Sequence, residues 1–278
     1  MVTDSTSDIE PQSAREAGVE VVPLFVRFGD RSYRDYIDLS RSEFYHKLAT
    51  EKELPNTSQP TAQMFEDAFR PLADAGKQIL CLTISSKLSG TINAARSAAQ
   101  QFGQARIEVV DSETVAGGLR LQVLAAQAMA AQGRSMDDIL AYLAGQRETQ
   151  RLYACIADLS HAVRTGRIGK AKAALGTLMK IVPVIALRDG EVVAEAQVRT
   201  MTRARETMID LAIKNAPDPA NARFLVIHTN APALASEIQS RLRERLGAEP
   251  KMLGLLEAGP VIATHGGPGA VGIFSAHD

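Results

Sequence analysis

Strand-length apolar runs alternate with helical patterns through residues 1–150 of the 278-residue chain. Parallel strands need a long crossover connection, which is usually a helix, so this alternation predicts a mainly parallel sheet with helices on its faces. In chain order, the predicted elements are a strand at Val19–Phe28, helices at 40–48 and Pro60–Ala75, a strand at Gln78–Ile84, a helix at Thr91–Phe102, a strand at Ile107–Val110, and helices at Leu119–Ala131 and Met136–Leu143. We therefore expect an N-terminal α/β domain over residues 1–150.

The pattern changes in the second half of the chain. Asp189-Gly190 separates the apolar runs Ile181–Leu187 and Glu191–Val198, and Asp-Gly at such a position is a strong signal of a β-hairpin. The other predicted elements are strands at Leu152–Ala157, Phe224–His228 and Lys251–Leu256 and helices at Thr202–Lys214 and Leu234–Leu246. A hairpin mixed with strand–helix units predicts a C-terminal α+β domain over residues 151–278.

Composition and charge exclude several classes of protein. The 31 Lys and Arg residues balance 32 Asp and Glu residues, and aromatic residues make up only 5% of the chain, so neither an electrostatic nucleic-acid surface nor a base-stacking platform is expected. Asp4 and Asp8 interrupt the start of the chain, which argues against a signal peptide, and no apolar run reaches the ~20 residues that span a bilayer. Cys81 and Cys155 lie in apolar runs and are expected to be buried, reduced thiols. We therefore expect a cytoplasmic protein without stable membrane insertion.

Two hydroxyl-rich segments are placed where helices are predicted to begin. Thr57 and Ser58 precede one predicted helix, and Ser89, Gly90 and Thr91 open the next. A helix start offers unpaired backbone N–H groups and the positive end of the helix dipole, and hydroxyl side chains there cap the helix or reach a bound acid. Two such segments facing one cleft predict a site for a carboxylate or a phosphate that holds no fixed charge. We expect this site to bind a ligand, and a catalytic role is the less favoured interpretation.

The segment Gly267–Gly272 matches the G-x-G-x-x-G letters of a dinucleotide-binding loop. That fingerprint needs a following helix and an acid roughly 20 residues further on, and the sequence has no room for either. We expect these glycines instead to let a loop carry His265 close to another surface. The five histidines show no metal-ligand spacing, and turns and caps account for isolated acids such as Asp4 and Asp35. Neither a metal nor a cofactor is therefore expected.

Basic side chains cluster at two places in the second half of the chain. Arg164, Arg167 and Lys170 form one group, for which a solvated face and a docking surface for a partner both remain open. Arg199 belongs to the other group, but it ends the apolar strand of the predicted hairpin instead of lying within a polar helix. It is therefore the basic residue that we favour as part of a binding site.

Seven motifs, in order along the whole chain, resemble those of the DegV family, bacterial fatty-acid-binding proteins that include the FakB subunits of fatty acid kinase. The motifs are VTDSTSD at 2–8, TSQP at 57–60, SSKLSGT at 85–91, VDS at 110–112, GRIG at 166–169, RT at 199–200 and THGGPG at 264–269. The resemblance implies a monomeric two-domain protein that encloses one long-chain fatty acid in a tunnel between or within its domains. It also implies a carrier that is not itself an enzyme.

The same resemblance assigns roles to individual residues. In the family, the threonine of the first loop and the serine of L-S-G-T hold the carboxylate, and these positions are Thr57 and Ser89 here. The arginine and histidine near the carboxyl group correspond to Arg199 and His265. The expected fatty-acid site is completed by neighbours in the same segments, which are Ser58, Gly90, Thr91 and Gly266. FakB-type members present the bound carboxylate to a separate kinase, which makes the acyl phosphate for phospholipid synthesis, and the basic residues at 164, 167 and 170 are candidates for docking it.

Three departures from the family pattern leave these residues intact. Val182 stands where the family often has lysine before a proline, the segment 158–166 is unlike the usual leucine-rich, double-glycine version, and Gly266 often has a threonine counterpart. They bear on chain-length preference and on the choice of kinase.

Two further classes of function stay open at this stage. Ser89 with His265 and Asp111 could serve a serine hydrolase or a phosphotransfer enzyme, although no G-x-S-x-G elbow is present and a helix cap explains Ser89 equally well. A binder of another small acid, with lipid as an incidental guest, is the third possibility.

Overall fold

The computed structural model describes residues 1–156, 158–171, 181–216, 218–247 and 249–277, and these form two compact units. The first unit comprises Met1–Arg147 and Gly259–Thr264. The second comprises the described residues of Glu148–Ala258 and His265–Asp278.

Strands and helices alternate in the chain up to residue 149. Its elements are β1 Val2–Asp4, a 3₁₀ turn Ser5–Ser7, α1 Pro11–Ala17, β2 Glu20–Val22, β3 Phe25–Phe28, β4 Arg31–Arg34, α2 Arg41–Thr50, β5 Asn56–Ser58, α3 Ala62–Asp74, β6 Ile79–Thr83, α4 Thr91–Ala99, β7 Ile107–Asp111, α5 Gly117–Ala131 and α6 Met136–Thr149. The main sheet has the strand order β2-β1-β6-β7, and every pairing in it is parallel. The predicted parallel sheet is therefore confirmed.

Helices cover both faces of this sheet because its central strand is apolar on both sides. Along β6, Ile79 and Cys81 pack with α3 and α4, whereas Leu80 and Leu82 pack with α1, α5 and α6. All four side chains are buried. A continuous apolar run is the pattern expected of a parallel strand enclosed on both faces, so β6 is the centre of the core that positions the loops at its carboxyl end.

The predicted strand Val19–Phe28 is wrong, because the chain leaves the parallel sheet in its middle. β2 ends at Val22, Pro23 has no N–H to donate, and the N–H of Leu24 donates to Oγ of Ser5, 3.0 Å away. β3 then starts a separate antiparallel sheet of order β4-β3-β5. Pro23 is the sequence signal for this break, because a proline within an apolar run argues against a continuous interior strand.

Thr57 and Ser58 do not stand at a helix start, which corrects the second expectation for this region. They belong to β5, which pairs antiparallel with β3 so that Thr57 is opposite Val26. The following helix begins only at Ala62, and its N-cap is Thr61, whose hydroxyl accepts from the N–H of Met64. The short strand has no apolar alternation, so the antiparallel partner alone decides its conformation.

The segment Gly259–Thr264 packs in the first unit, although the sequence assigned all of residues 151–278 to a C-terminal domain. Val261 and Ala263 are buried in a cluster with residues of the small sheet and of α2. Gly259 is required here because a Cβ at this position would lie 2.5 Å from Oη of Tyr36. Apolar burial therefore draws a late part of the sequence back to the first unit.

The second unit is built on one mixed sheet. Its elements are β8 Arg151–Cys155, α7 Ser160–Thr165, β9 Val182–Arg188, β10 Glu191–Val198, α8 Met201–Lys214, β11 Ala222–His228, α9 Pro232–Leu246, β12 Met252–Glu257, then α10 Pro260–Gly266, which begins in the first unit, and β13 Val271–His277. The strand order is β10-β9-β8-β13-β11-β12, and among these pairs only β11 and β12 are parallel. The predicted α+β class is therefore confirmed.

Two details of this sheet answer sequence predictions. Asp189 and Gly190 have φ of 51° and 76°, the left-handed pair that a two-residue hairpin turn requires, so the β9–β10 hairpin is confirmed. The glycines at 267–272 lead into the interior strand β13, and a dinucleotide loop would lead into a helix. The rejection of a nucleotide site at this motif is supported by that order.

Candidate functional site

The loop between β6 and α4 is held by two acids that end neighbouring strands. The N–H of Ile84 donates to Oδ2 of Asp4, 2.8 Å away, at the end of β1. The N–H of Ser86 lies 3.2 Å from both carboxylate oxygens of Asp111, at the end of β7. Because these strands are parallel, their carboxyl ends meet at one edge of the sheet, as the sequence predicts.

This loop delivers Ser89, Gly90 and Thr91 to the start of α4. Ser89 Oγ lies 2.9 Å from Thr91 Oγ1 and accepts from the N–H of Thr91 at 3.3 Å. Gly90 is the residue at the N-cap, and the first turn of α4 contains no acidic side chain. The expectation that these residues stand at a helix start is confirmed, and their hydroxyls and the helix dipole together favour an anion.

The segment carrying Thr57 and Ser58 lies against this helix start. A Cβ added at Gly90 would overlap with Oε1 of Gln59, the residue that follows Ser58. Thr57 is half-buried and Ser58 is exposed. The structure therefore brings the two hydroxyl-rich segments together, and Gln59 is a neighbour of the site that the sequence did not single out.

The first unit also contains three buried carboxyls, those of Asp4, Asp8 and Asp35, where turns and caps alone were expected. Burial raises the pKa of Asp4 to about 6 and that of Asp8 to about 7, against hydrogen bonds that act to lower them. Burial also raises the pKa of Asp35 well above its usual range, and Asp8 and Asp4 raise it further. Asp4 does cap the 3₁₀ turn, through the N–H of Thr6. The sequence signal for the cluster was the motif VTDSTSD at 2–8, which contains both Asp4 and Asp8.

In the second unit, His265 occupies the last turn of α10, so it is not carried by the loop that the sequence predicted. Its Nδ1 lies 2.8 Å from Oγ1 of Thr165, at the end of α7. Burial lowers the pKa of His265 to about 3, with further lowering by Arg167, Arg164 and His161. The imidazole is therefore neutral at physiological pH. Gly266 follows it and is half-buried.

The remaining predicted residues are exposed. Arg199 follows the last residue of β10 and precedes Thr200, the N-cap of α8. Arg164, Arg167 and Lys170 lie in and after α7, where Nη1 of Arg167 donates to the carbonyl of Thr165 at 2.6 Å and Lys170 pairs with Glu191 at 2.9 Å. All four basic side chains are exposed to solvent, and Arg164 and Arg167 are also close enough to His265 to lower its pKa.

Other chemistry is scarce in the described part of the chain. Within those residues, no group of three or more His, Cys, Asp or Glu side chains is placed to hold a metal ion. Cys81 and Cys155 are free and buried, and burial raises the pKa of the Cys155 thiol to about 12. None of the described helices is both long enough and apolar enough to cross a bilayer.

The chain is similar in sequence to known proteins over almost its whole length. A family model described as "Uncharacterised protein, DegV family" matches residues 1–278. A DegV domain-containing protein of Halalkalibacterium halodurans is 33% identical over 278 residues, which cover 98% of this chain and 96% of that protein.

Two solved structures share the fold over almost their whole length. A DegV family protein from Thermus thermophilus, described by its fatty acid binding, has a TM-score of 0.90 and 33% identity, with 100% of this chain and 98% of that chain covered. A stearic acid-binding protein from Eubacterium ventriosum has a TM-score of 0.91 and 26% identity, with coverage of 99% and 97%.

Proposed function

Because the chain belongs to the DegV family, we propose that it binds one long-chain fatty acid by its carboxylate and acts as a carrier, not as an enzyme. The observation that supports this most is the meeting of the two hydroxyl-rich segments at the start of α4. Thr57, Ser58, Ser89, Gly90 and Thr91 provide hydroxyl and backbone N–H donors there, with no acidic side chain in the first turn of α4.

This set of donors suits the head of a fatty acid. A buried carboxylate without partners is very costly, whereas hydroxyls and helix N–H groups satisfy its oxygens without a strong ion pair. The family resemblance also assigns Arg199, His265 and Gly266 to fatty-acid binding. The proposal includes that assignment.

The tail supplies most of the affinity in this proposal. Each methylene removed from water contributes roughly 0.8 kcal/mol, so enclosing a long chain among aliphatic side chains yields ample binding energy. The relative from Eubacterium ventriosum is described as binding stearic acid, an acid of this kind. A long chain is therefore the expected ligand class, in preference to short acids.

The proposal extends to a partner. A carboxylate oxygen held by neutral donors stays nucleophilic, because no strong ion pair neutralises its charge. We propose that a separate kinase phosphorylates this carboxylate to the acyl phosphate used in phospholipid synthesis. The exposed Arg164, Arg167 and Lys170 are the residues proposed to dock that kinase, since a basic face complements an acidic one. We propose that this carrier is cytoplasmic and monomeric.

Native mass spectrometry of the purified protein tests the binding step, followed by organic extraction and identification of what is bound. One long-chain fatty acid per chain is the expected result, and its loss in Thr57→Ala and Ser89→Ala would tie it to the two segments. A protein that stays empty after incubation with mixed fatty acids would refute the proposal. Preferential binding of short acids would show that the protein is a carrier of a different class of ligand.

The alternative is an enzyme that uses Ser89 and His265. In a serine hydrolase triad, the histidine Nδ1 is bonded to a carboxylate, whereas Nδ1 of His265 contacts the hydroxyl of Thr165. A turnover assay separates the two readings. The carrier alone should release no product from acyl esters and hydrolyse no ATP, and activity that disappears in Ser89→Ala would favour the enzyme.

A further inference from the structure

The hydroxyl of Thr165 has three polar neighbours in the second unit. Its Oγ1 lies 2.9 Å from the carbonyl oxygen of His161, 3.4 Å from that of Ala162 and 2.8 Å from Nδ1 of His265. Thr165 is buried, with 7% of its surface exposed, so water does not compete freely for this oxygen. Its one proton must therefore be shared among these neighbours.

The single hydroxyl proton determines which atom donates and which accepts in each of these hydrogen bonds. A carbonyl oxygen only accepts, whereas Nδ1 of an imidazole donates or accepts according to the tautomer. If the hydroxyl proton pointed at Nδ1, Oγ1 would face the His161 carbonyl at 2.9 Å with lone pairs on both atoms. Both short contacts are hydrogen bonds only if the hydroxyl donates to the carbonyl and Nδ1–H donates to the hydroxyl oxygen.

We infer that Thr165 is a positioning residue that holds His265 as the Nδ1–H tautomer, with Nε2 as the hydrogen-bond acceptor of the ring. The lowered pKa of His265, caused by burial and by Arg167, Arg164 and His161, agrees with a neutral ring. Toward a ligand, a histidine in this state accepts a hydrogen bond through Nε2 and does not donate one.

The tautomer is measurable without any ligand, so this inference stands or falls separately from fatty-acid binding. In ¹⁵N-labelled protein at neutral pH, long-range ¹H–¹⁵N spectra of the histidine rings report which ring nitrogen carries the proton, and His265→Gln identifies the signals of His265. We expect a protonated shift for Nδ1 and an unprotonated shift for Nε2. An Nε2–H pattern in the wild-type protein would overturn the inference, whatever the variants do.

Variants test whether Thr165 is the cause. Thr165→Val keeps the shape but removes the hydroxyl, and it should move the ring toward the Nε2–H tautomer, while Thr165→Ser should restore the Nδ1–H pattern. Thr202→Val, at an exposed position of α8, is the matched control and should leave the ring signals unchanged. A Thr165→Val protein that folds and keeps the wild-type tautomer would show that another group sets it.

Discussion

The carboxyl of Asp8 accepts a hydrogen bond from the backbone N–H of Gly259 at 2.9 Å, although the two residues are 251 positions apart in the chain. The same oxygen accepts from the hydroxyl of Tyr36 at 3.1 Å. All three residues belong to the first unit. Asp8 therefore fastens the returning segment Gly259–Thr264 to this unit, beside the apolar contacts of Val261 and Ala263.

The pKa of Asp8, raised to about 7 by burial, predicts a specific pH dependence of stability. Because the folded protein binds this proton more tightly than the unfolded chain does, the stabilisation is complete below the unfolded pKa of 3.8 and is lost as pH rises to about 7. Relative to Asp8→Asn, the wild-type protein should therefore lose unfolding free energy across this window, by up to about 1.4 kcal/mol per pH unit. Urea denaturation of both proteins at a series of pH values measures the difference.

Asp38→Asn is the matched control for that experiment. Asp38 is exposed, and hydrogen bonds from Arg34 lower its pKa to about 2. The stabilisation by the Asp38 carboxylate is present above pH 3.8 and is lost only as pH falls toward 2. The difference in unfolding free energy between Asp38→Asn and the wild-type protein should therefore be constant over the pH range in which Asp8 loses its effect. A constant difference for Asp8→Asn as well would mean that Asp8 has an ordinary pKa in the folded protein.

Ser89→Ala should weaken fatty-acid binding about 10- to 100-fold, because a hydrogen bond to a charged group contributes roughly 1.5–3 kcal/mol. Isothermal titration with one long-chain acid measures the loss. Ser86→Ala is the control, since Ser86 lies in the same loop but is exposed and holds Asp111 through its backbone N–H, which the substitution keeps. Equal affinities for the two variants would remove Ser89 from the head-group site.

Gly90→Ala should displace the end of the Gln59 side chain from the start of α4, because its Cβ overlaps with Oε1 of Gln59. Truncating that side chain in Gln59→Ala should relieve the overlap, with a coupling free energy of at least about 0.5 kcal/mol in a double-mutant cycle on unfolding. Gly103→Ala places its Cβ in open space and should show no coupling to Gln59. Additive effects of Gly90→Ala and Gln59→Ala on the unfolding free energy would show that the two segments do not contact each other in solution.

Gly267→Ala should destabilise the protein more than Gly247→Ala does. Both glycines have φ of +66°, so the strain of the left-handed backbone, about 1–2 kcal/mol, is common to both. Only at Gly267 would the Cβ also approach a side chain, at 2.9 Å from Cδ2 of His161, which overpacks a closed site and adds roughly 1–3 kcal/mol. Thermal unfolding compares them, and the excess should disappear in a His161→Ala background. An excess that persists there would assign it to another neighbour.

Local patterns predicted much of the first unit and the hairpin of the second. The apolar run that became β6 and the Asp-Gly turn at 189–190 carry their conformations in a few consecutive residues, and both are confirmed. The start of α4 at Ser89, Gly90 and Thr91 is confirmed for the same reason, since a glycine-containing hydroxyl segment between an apolar strand and a helical pattern is a local signal.

Contacts between distant residues decided what local patterns did not carry. β5 is a strand because β3 pairs with it, the chain turns away at Pro23 because Ser5 binds Leu24, and Gly259–Thr264 joins the first unit because Asp8 and an apolar cluster bind it there. The sequence alone determined the strand–helix alternation from β6 to α6, the β9–β10 hairpin, the family and the residue types of the proposed site. The buried environment that raises the pKa of Asp8 and turns His265 toward Thr165 exists only after folding, because desolvation and a 2.8 Å contact both depend on neighbours that the chain brings from far away.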